Sequence, residues 1–137
     1  VSVKLVLDNA ALERELRGPN GMVAEHVINR ATVVQLAARV QAPKRTGCLA
    51  ASIVKRPTVI NGEFAMAIVA DTTPCSPTRT NYALFVHEGT RPHVITARSA
   101  RALSFEWQGK RVFFKTVHHP GTKANRFLTD NLPLAVA

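Results

Sequence analysis

Cysteine is scarce: Cys48 and Cys75 are the two in 137 residues. Without CxxC spacing they supply neither a disulfide framework nor a paired-thiolate metal site, and they fit unpaired thiols in a reducing compartment. No apolar run approaches the roughly 18 to 20 residues that cross a bilayer. Val1-Ser2-Val3-Lys4-Leu5 does not follow the basic-then-apolar layout of a secretory signal, so a cytoplasmic origin with no membrane partner is the expectation. Aromatic residues make up 6%, with one tryptophan and one tyrosine in segments that also read as core. Nucleic-acid modules that read sequence concentrate charge with stacking aromatics, so base-specific recognition is not expected. No Gly-rich phosphate loop, HExxH motif, internal repeat, low-complexity tract or heptad run is present.

What is there describes a folding chain. Hydrophobic residues at 46% and charged residues at 20% match a globular protein, and the length suits one domain spanning residues 1–137. Eighteen Lys and Arg against nine Asp and Glu give a net charge of +9, which points to contact with nucleic acid or an acidic protein surface. The cations are dispersed in three groups: Lys44 and Arg45; Arg91, Arg98 and Arg101; Lys110, Arg111 and Lys115.

Val1, Val3, Leu5 and Leu7 alternate with polar residues as in a short strand. Asp8 and Asn9 suit a helix N-cap, and Ala10 to Arg17 reads as a short helix stopped by Gly18-Pro19-Asn20-Gly21. A long helix follows from Met22 to Gln41, with Val23, Val27, Ala31, Val34 and Ala38 forming its apolar stripe, and Pro43 ends it. Lys44 to Gly47 forms a basic loop. Ile53 to Ile60 and Glu63 to Ala70 flank Asn61-Gly62, a type I′ hairpin signal; Phe64, Met66, Ile68 and Ala70 mark the buried face, and Pro57 implies an edge strand. Asp71 to Asn81, with two prolines and four threonines, reads as a mobile loop or arm. Tyr82 to Val86 is a short apolar segment. Leu103 to Trp107 and Arg111 to Val117 flank Gln108-Gly109 as a second hairpin, apolar on both sides, and Ala124 to Leu132 reads as a closing helix. The expected fold is α+β: a long helix packed on an antiparallel sheet of hairpins, both faces of the sheet covered, with a short C-terminal helix.

His87, Glu88, His93, His118 and His119 flank the second hairpin and invite a metal reading. Their spacing places no ligand set on one helix or strand face, and adjacent His118 and His119 point to opposite sides of a strand. The simpler expectation is that His93 and His119, each beside a proline, hydrogen-bond backbone groups in turns. No cysteine and histidine form a recognisable nucleophile and base, and no cofactor is expected. Gly47 and Gly89 permit backbone angles that a Cβ penalises, Thr46 and Thr90 can bond nearby backbone groups, and Glu88 can accept from such a turn. Tyr82 and Phe127 are expected to anchor through buried aromatic area.

Taken in order, Pro43-Lys44-Arg45-Thr46-Gly47-Cys48-Leu49-Ala50-Ala51-Ser52, then Tyr82-Ala83-Leu84-Phe85-Val86-His87-Glu88-Gly89-Thr90, then His119-Pro120-Gly121 and Phe127-Leu128 resemble the tail-completion, or head-to-tail joining, proteins of long-tailed bacteriophages. The resemblance covers about residues 22–137 and departs at Arg126-Phe127, where relatives often carry proline before the phenylalanine. It implies no catalysis. It implies a structural ring subunit of the virion neck or tail top, assembled in the host cytoplasm, where the DNA-filled head meets the finished tail. The implied partners are other copies of the chain in a hexameric ring, the connector or stopper protein, and the tail terminator or tail-tube protein. Ring subunits need unlike surfaces that meet head to tail. Lys44, Arg45, Thr46 and Gly47 in one loop and Thr73, Pro74, Thr78 and Arg79 in another are the expected contact residues. Arg98, Arg101, Lys110 and Arg111 are the expected DNA-facing cations, acting on phosphates without reading bases. A tail terminator that caps tube growth is the alternative; a basic DNA-binding or metal-dependent accessory protein is the alternative of another class.

Overall fold

The computed structural model describes residues 6–136, so most of the strand expected over Val1 to Leu7 lies outside the described residues; Val6 and Leu7 are exposed and belong to no strand. Helix α1 (Asn9–Arg17) begins where expected. The Asp8 carboxylate accepts from the Ala10 and Ala11 amides at 3.0 and 3.1 Å, satisfying two of the donors that a helix start leaves open. Helix α2 (Met22–Gln41) then runs for 20 residues. Its buried face is Ala24, Ala31, Val34, Gln35 and Ala38, rotated slightly from the expected stripe, so that Val23 is exposed. Three alanines on this face allow close approach to the hairpin below, and Gln35 is tolerated there because its amide has a partner.

That partner is the backbone of strand β1 (Ile53–Ile60). Gln35 Nε2 and Arg39 Nε both donate to the Ile53 carbonyl, at 2.9 and 3.0 Å, which fixes the first residue of the hairpin onto the helix. Strand β2 (Glu63–Ala70) returns in register from Ile60↔Glu63 to Ile53↔Ala70, through a turn in which Asn61 and Gly62 take φ of 54° and 82°. Pro57 lies opposite Met66, and a two-stranded sheet has the open edge that its missing N–H requires. Helix α3 (Cys48–Ser52), too short for a periodic signal, fills the space between the basic loop and β1.

The C-terminal element differs from expectation. It is a 3-10 helix (Thr129–Ala135), packed on α2, in place of an α-helix over Ala124 to Leu132. Pro133 cannot donate to an α-helical ladder, and Asn131 Nδ2 donates to the Phe127 carbonyl at 2.8 Å, taking an acceptor that such a ladder uses. The Gln41 side chain joins the two helices, donating to Asp130 Oδ2 at 3.0 Å and accepting from Asn131 Nδ2 at 2.7 Å. Phe127 is wholly buried.

These elements form one compact unit, up to Ala83 and again from Arg126; Leu84–Asn125 forms a second. In the second unit, helix α4 (Ala83–Glu88) replaces the apolar segment after the boundary residue Ala83, and strand β3 (His93–Thr96) pairs with β6 (Thr116–His119). Strands β4 (Leu103–Trp107) and β5 (Lys110–Phe114) make the expected second hairpin, turning at Gln108 and Gly109 with φ of 49° and 74°. The return strand read as Arg111 to Val117 is in fact two, changing partner at Lys115, whose carbonyl accepts from the Ala97 amide at 2.9 Å. The fold is α+β as expected, a long helix with antiparallel hairpins and a short C-terminal helix; among the described residues the strands form three two-stranded sheets and not one sheet covered on both faces. Trp107 is 62% and Phe113 64% exposed, so neither belongs to a core. No residue of 84–125 is buried.

Candidate functional site

Two groups of expected site residues are drawn together, one in each unit. In the first unit the Lys44–Gly47 loop and the 71–81 loop are joined by a disulfide between Cys48 and Cys75, with Cα atoms 5.8 Å apart. This corrects the expectation of unpaired thiols: two cysteines 27 positions apart carry no spacing signal, and only the fold puts them side by side. Lys44, Arg45 and Thr46 are exposed on one side of the bond, and Pro74, Thr78 and Arg79 on the other, with Thr73 half-buried. Gly47, with φ of 76°, leads into α3, and Thr46 Oγ1 accepts from the Cys48 amide at 3.4 Å.

The 71–81 segment is a tied loop and not an arm. Thr72 is wholly buried; its hydroxyl lies 3.3 Å from the Thr80 carbonyl and 3.1 Å from Asn81 Oδ1, and accepts from the Tyr82 amide at 2.9 Å. Asn81 Nδ2 donates to the Ala70 carbonyl at 3.2 Å, and the Ser76 and Arg79 amides close turns onto Thr72 and Ser76. Tyr82 is half-buried, and its amide ties it to the Thr72 hydroxyl. At the loop's start the Thr73 hydroxyl and amide both donate to the Asp71 carboxylate, the amide at 2.9 Å, and with the nearby Arg56 charge they hold that carboxyl below its usual range. Polar threonines in this segment read as solvated; their inward bonding to Asn81 has no sequence signal beyond the Asx-turn pattern Asp71-Thr72-Thr73.

In the second unit, Glu88-Gly89-Thr90 and His119-Pro120-Gly121 meet. The Thr90 and Thr122 amides each donate to the other's carbonyl at 3.0 Å, and the two hydroxyls are 3.0 Å apart. Gly89 and Gly121 have φ of 73° and 86°, and a Cβ at either would collide with the carbonyl oxygen of Thr122 or Thr90 respectively. The two motifs are therefore the halves of one crossing, which explains glycine at both positions.

His93 and His119 hydrogen-bond turn backbone as expected. His93 Nδ1 donates to the Arg91 carbonyl at 2.9 Å, while His119 Nδ1 accepts from the Gly121 amide at 3.0 Å, which leaves its ring proton at Nε2. The two rings lie 5.0 Å apart beside Pro92 and Pro120. His87 Nδ1 is 2.6 Å from Glu88 Oε1. No group of three or more His, Cys, Asp or Glu side chains among the described residues is placed to hold a metal ion.

Arg98 and Arg101 are exposed in the segment before β4, and Lys110 and Arg111 open β5. The structure also shows two features that the sequence concealed. One is an apolar groove of about 350 Å³ in the first unit, lined by Val27, Ala31, Val34, Met66, Ile68 and Leu132 with His26 and Arg30 beside them. The other is the exposed aromatic face of β4 and β5. No helix among the described residues is long and apolar enough to cross a membrane. No family model, no curated protein and no solved structure matches this chain.

Proposed function

We propose that the chain is a structural subunit of the bacteriophage neck, arranged with other copies in a ring that joins the connector of the DNA-filled head to the completed tail. The observation that carries this reading is the Cys48–Cys75 bond, which holds the two expected contact loops in one exposed polar ridge. A ring subunit meets unlike surfaces on its two sides. The ridge supplies one such surface. The hydrogen bonds at the histidine motifs tie ring nitrogens to turn backbone, and those beside the glycine motifs tie backbone to backbone, an architectural use of residues that could have served chemistry. A virion also spends its life outside the reducing host, where a disulfide persists.

The test is electron microscopy of lysates from a phage with this gene alone disabled. DNA-filled heads beside separate tails of normal length are expected. Overlong tails would instead assign the chain to terminating tube growth, and intact infectious particles would remove it from the neck altogether. Arg45→Glu with Arg79→Glu, both exposed, should lower the yield of joined particles while leaving the fold intact by circular dichroism.

A further inference from the structure

The β4–β5 hairpin concentrates exposed aromatic and basic side chains. Strand alternation and the register Leu103↔Phe114, Phe105↔Val112 and Trp107↔Lys110 put Phe105, Trp107 and Phe114 on one face, with Lys110 beside Trp107 at the turn end. Phe105 and Phe114 touch diagonally, ring centroids 6.0 Å apart, and Trp107 and Phe114 are 62% and 51% exposed. These rings line a shallow concavity of about 340 Å³ with Val112 and Val117. Arg111 and Phe113 occupy the opposite face.

Such a face needs an occupant, because a lone two-stranded hairpin is marginal in water and large exposed apolar patches mark interaction sites. Charge decides which occupant. The 84–125 unit carries Arg91, Arg98, Arg101, Lys110, Arg111, Lys115 and Lys123 against Glu88 and Glu106 alone. A second copy of the hairpin would bring like charges together. A polyanion is complementary, and flat aromatic faces add a preference among polyanions: unpaired bases stack on such rings, whereas a duplex keeps its base faces hidden.

We propose that the β4–β5 hairpin binds single-stranded nucleic acid, bases stacking on the face of Trp107, Phe105 and Phe114 while Lys110, on the same face, neutralises phosphate. This use of the hairpin stands whether or not the chain is a neck subunit. It also corrects the expectation of Trp107 as core.

Trp107 is the only tryptophan of the chain, so its fluorescence reports on the site without a label. The full chain is titrated with a twelve-nucleotide oligothymidylate at 50 mM salt, and in parallel with a duplex of the same length, polyglutamate and phosphatidylserine vesicles. Quenching by the single strand with weaker binding of the duplex is expected. Affinity should fall with salt with a log–log slope near −0.7 for about one phosphate contact. Followed by anisotropy of labelled oligonucleotide, Trp107→Ala should weaken binding about tenfold and Trp107→Phe less, as expected for lost stacking. Lys110→Glu should flatten the salt dependence. Equal binding of duplex without quenching, tighter binding of polyglutamate or of vesicles, or no binding of the single strand at 50 mM salt would each overturn the proposal. Trp107 is exposed, so an unchanged circular dichroism spectrum in both variants keeps loss of binding separate from loss of fold.

Discussion

Gly121 sits where the Thr90 carbonyl passes, and its φ of 86° is one that side chains rarely adopt. Gly121→Ala therefore meets two obstacles at once, a backbone strain and a collision with main chain that cannot swing aside. The expected cost is about 2 to 4 kcal/mol, read as a lowered midpoint in urea unfolding. Gly47→Ala is the control, since nothing lies within 4 Å of its added Cβ and only the backbone strain at φ of 76° remains. That pair separates conformation from contact. Glycine and threonine in these turns, and His93 and His119 beside their prolines, are legible in the sequence because their chemistry acts over two or three residues. The pairing of Thr90 with Thr122 is not, because each turn is complete in itself and neither encodes the other's position.

The elements with a strong local period were legible. Helix α2 and the hairpin β1–β2 have the boundaries that the apolar repeat, Pro43 and Asn61-Gly62 dictate. Elements held by distant partners were not. Strand β3 depends on β6, the break at Lys115 depends on Ala97, and the C-terminal 3-10 helix depends on Pro133 and on Gln41. The 71–81 loop belongs with these, since its order comes from Thr72, Asn81 and the bond to Cys48. Closing a loop 27 positions long restricts the unfolded chain by about 3 to 4 kcal/mol. Reduction, or Cys48→Ser with Cys75→Ser, should lower stability by about that amount in thermal or urea unfolding. The reduced protein holds the loop by hydrogen bonds alone, those of Thr72 among them, so proteolysis within 71–81 is expected to rise without unfolding of α2.

The two units contrast in how they are built. Every buried residue among those described belongs to the unit that contains α2, and the other relies on paired strands and turn crossings with its apolar side chains half-covered or open. Local opening is governed by how much buried apolar contact it breaks. Hydrogen exchange followed by mass spectrometry should accordingly find the amides of α2 slowest, and those of β4 and β5 faster by about a hundredfold or more. Addition of whatever partner covers the hairpin should slow the second group alone. The apolar stripe of α2 announces the first core in the sequence, whereas exposure of Trp107 and Phe113 is a property of the assembled chain that alternation along a strand cannot reveal. The disulfide has a further consequence for covalent continuity. Cys48 and Cys75 bracket α3 and the whole of β1–β2, so a single backbone cut at the exposed Asn61-Gly62 tip leaves both fragments linked. A nicked molecule would run as one chain on a denaturing gel until reductant is added, and would then separate into two.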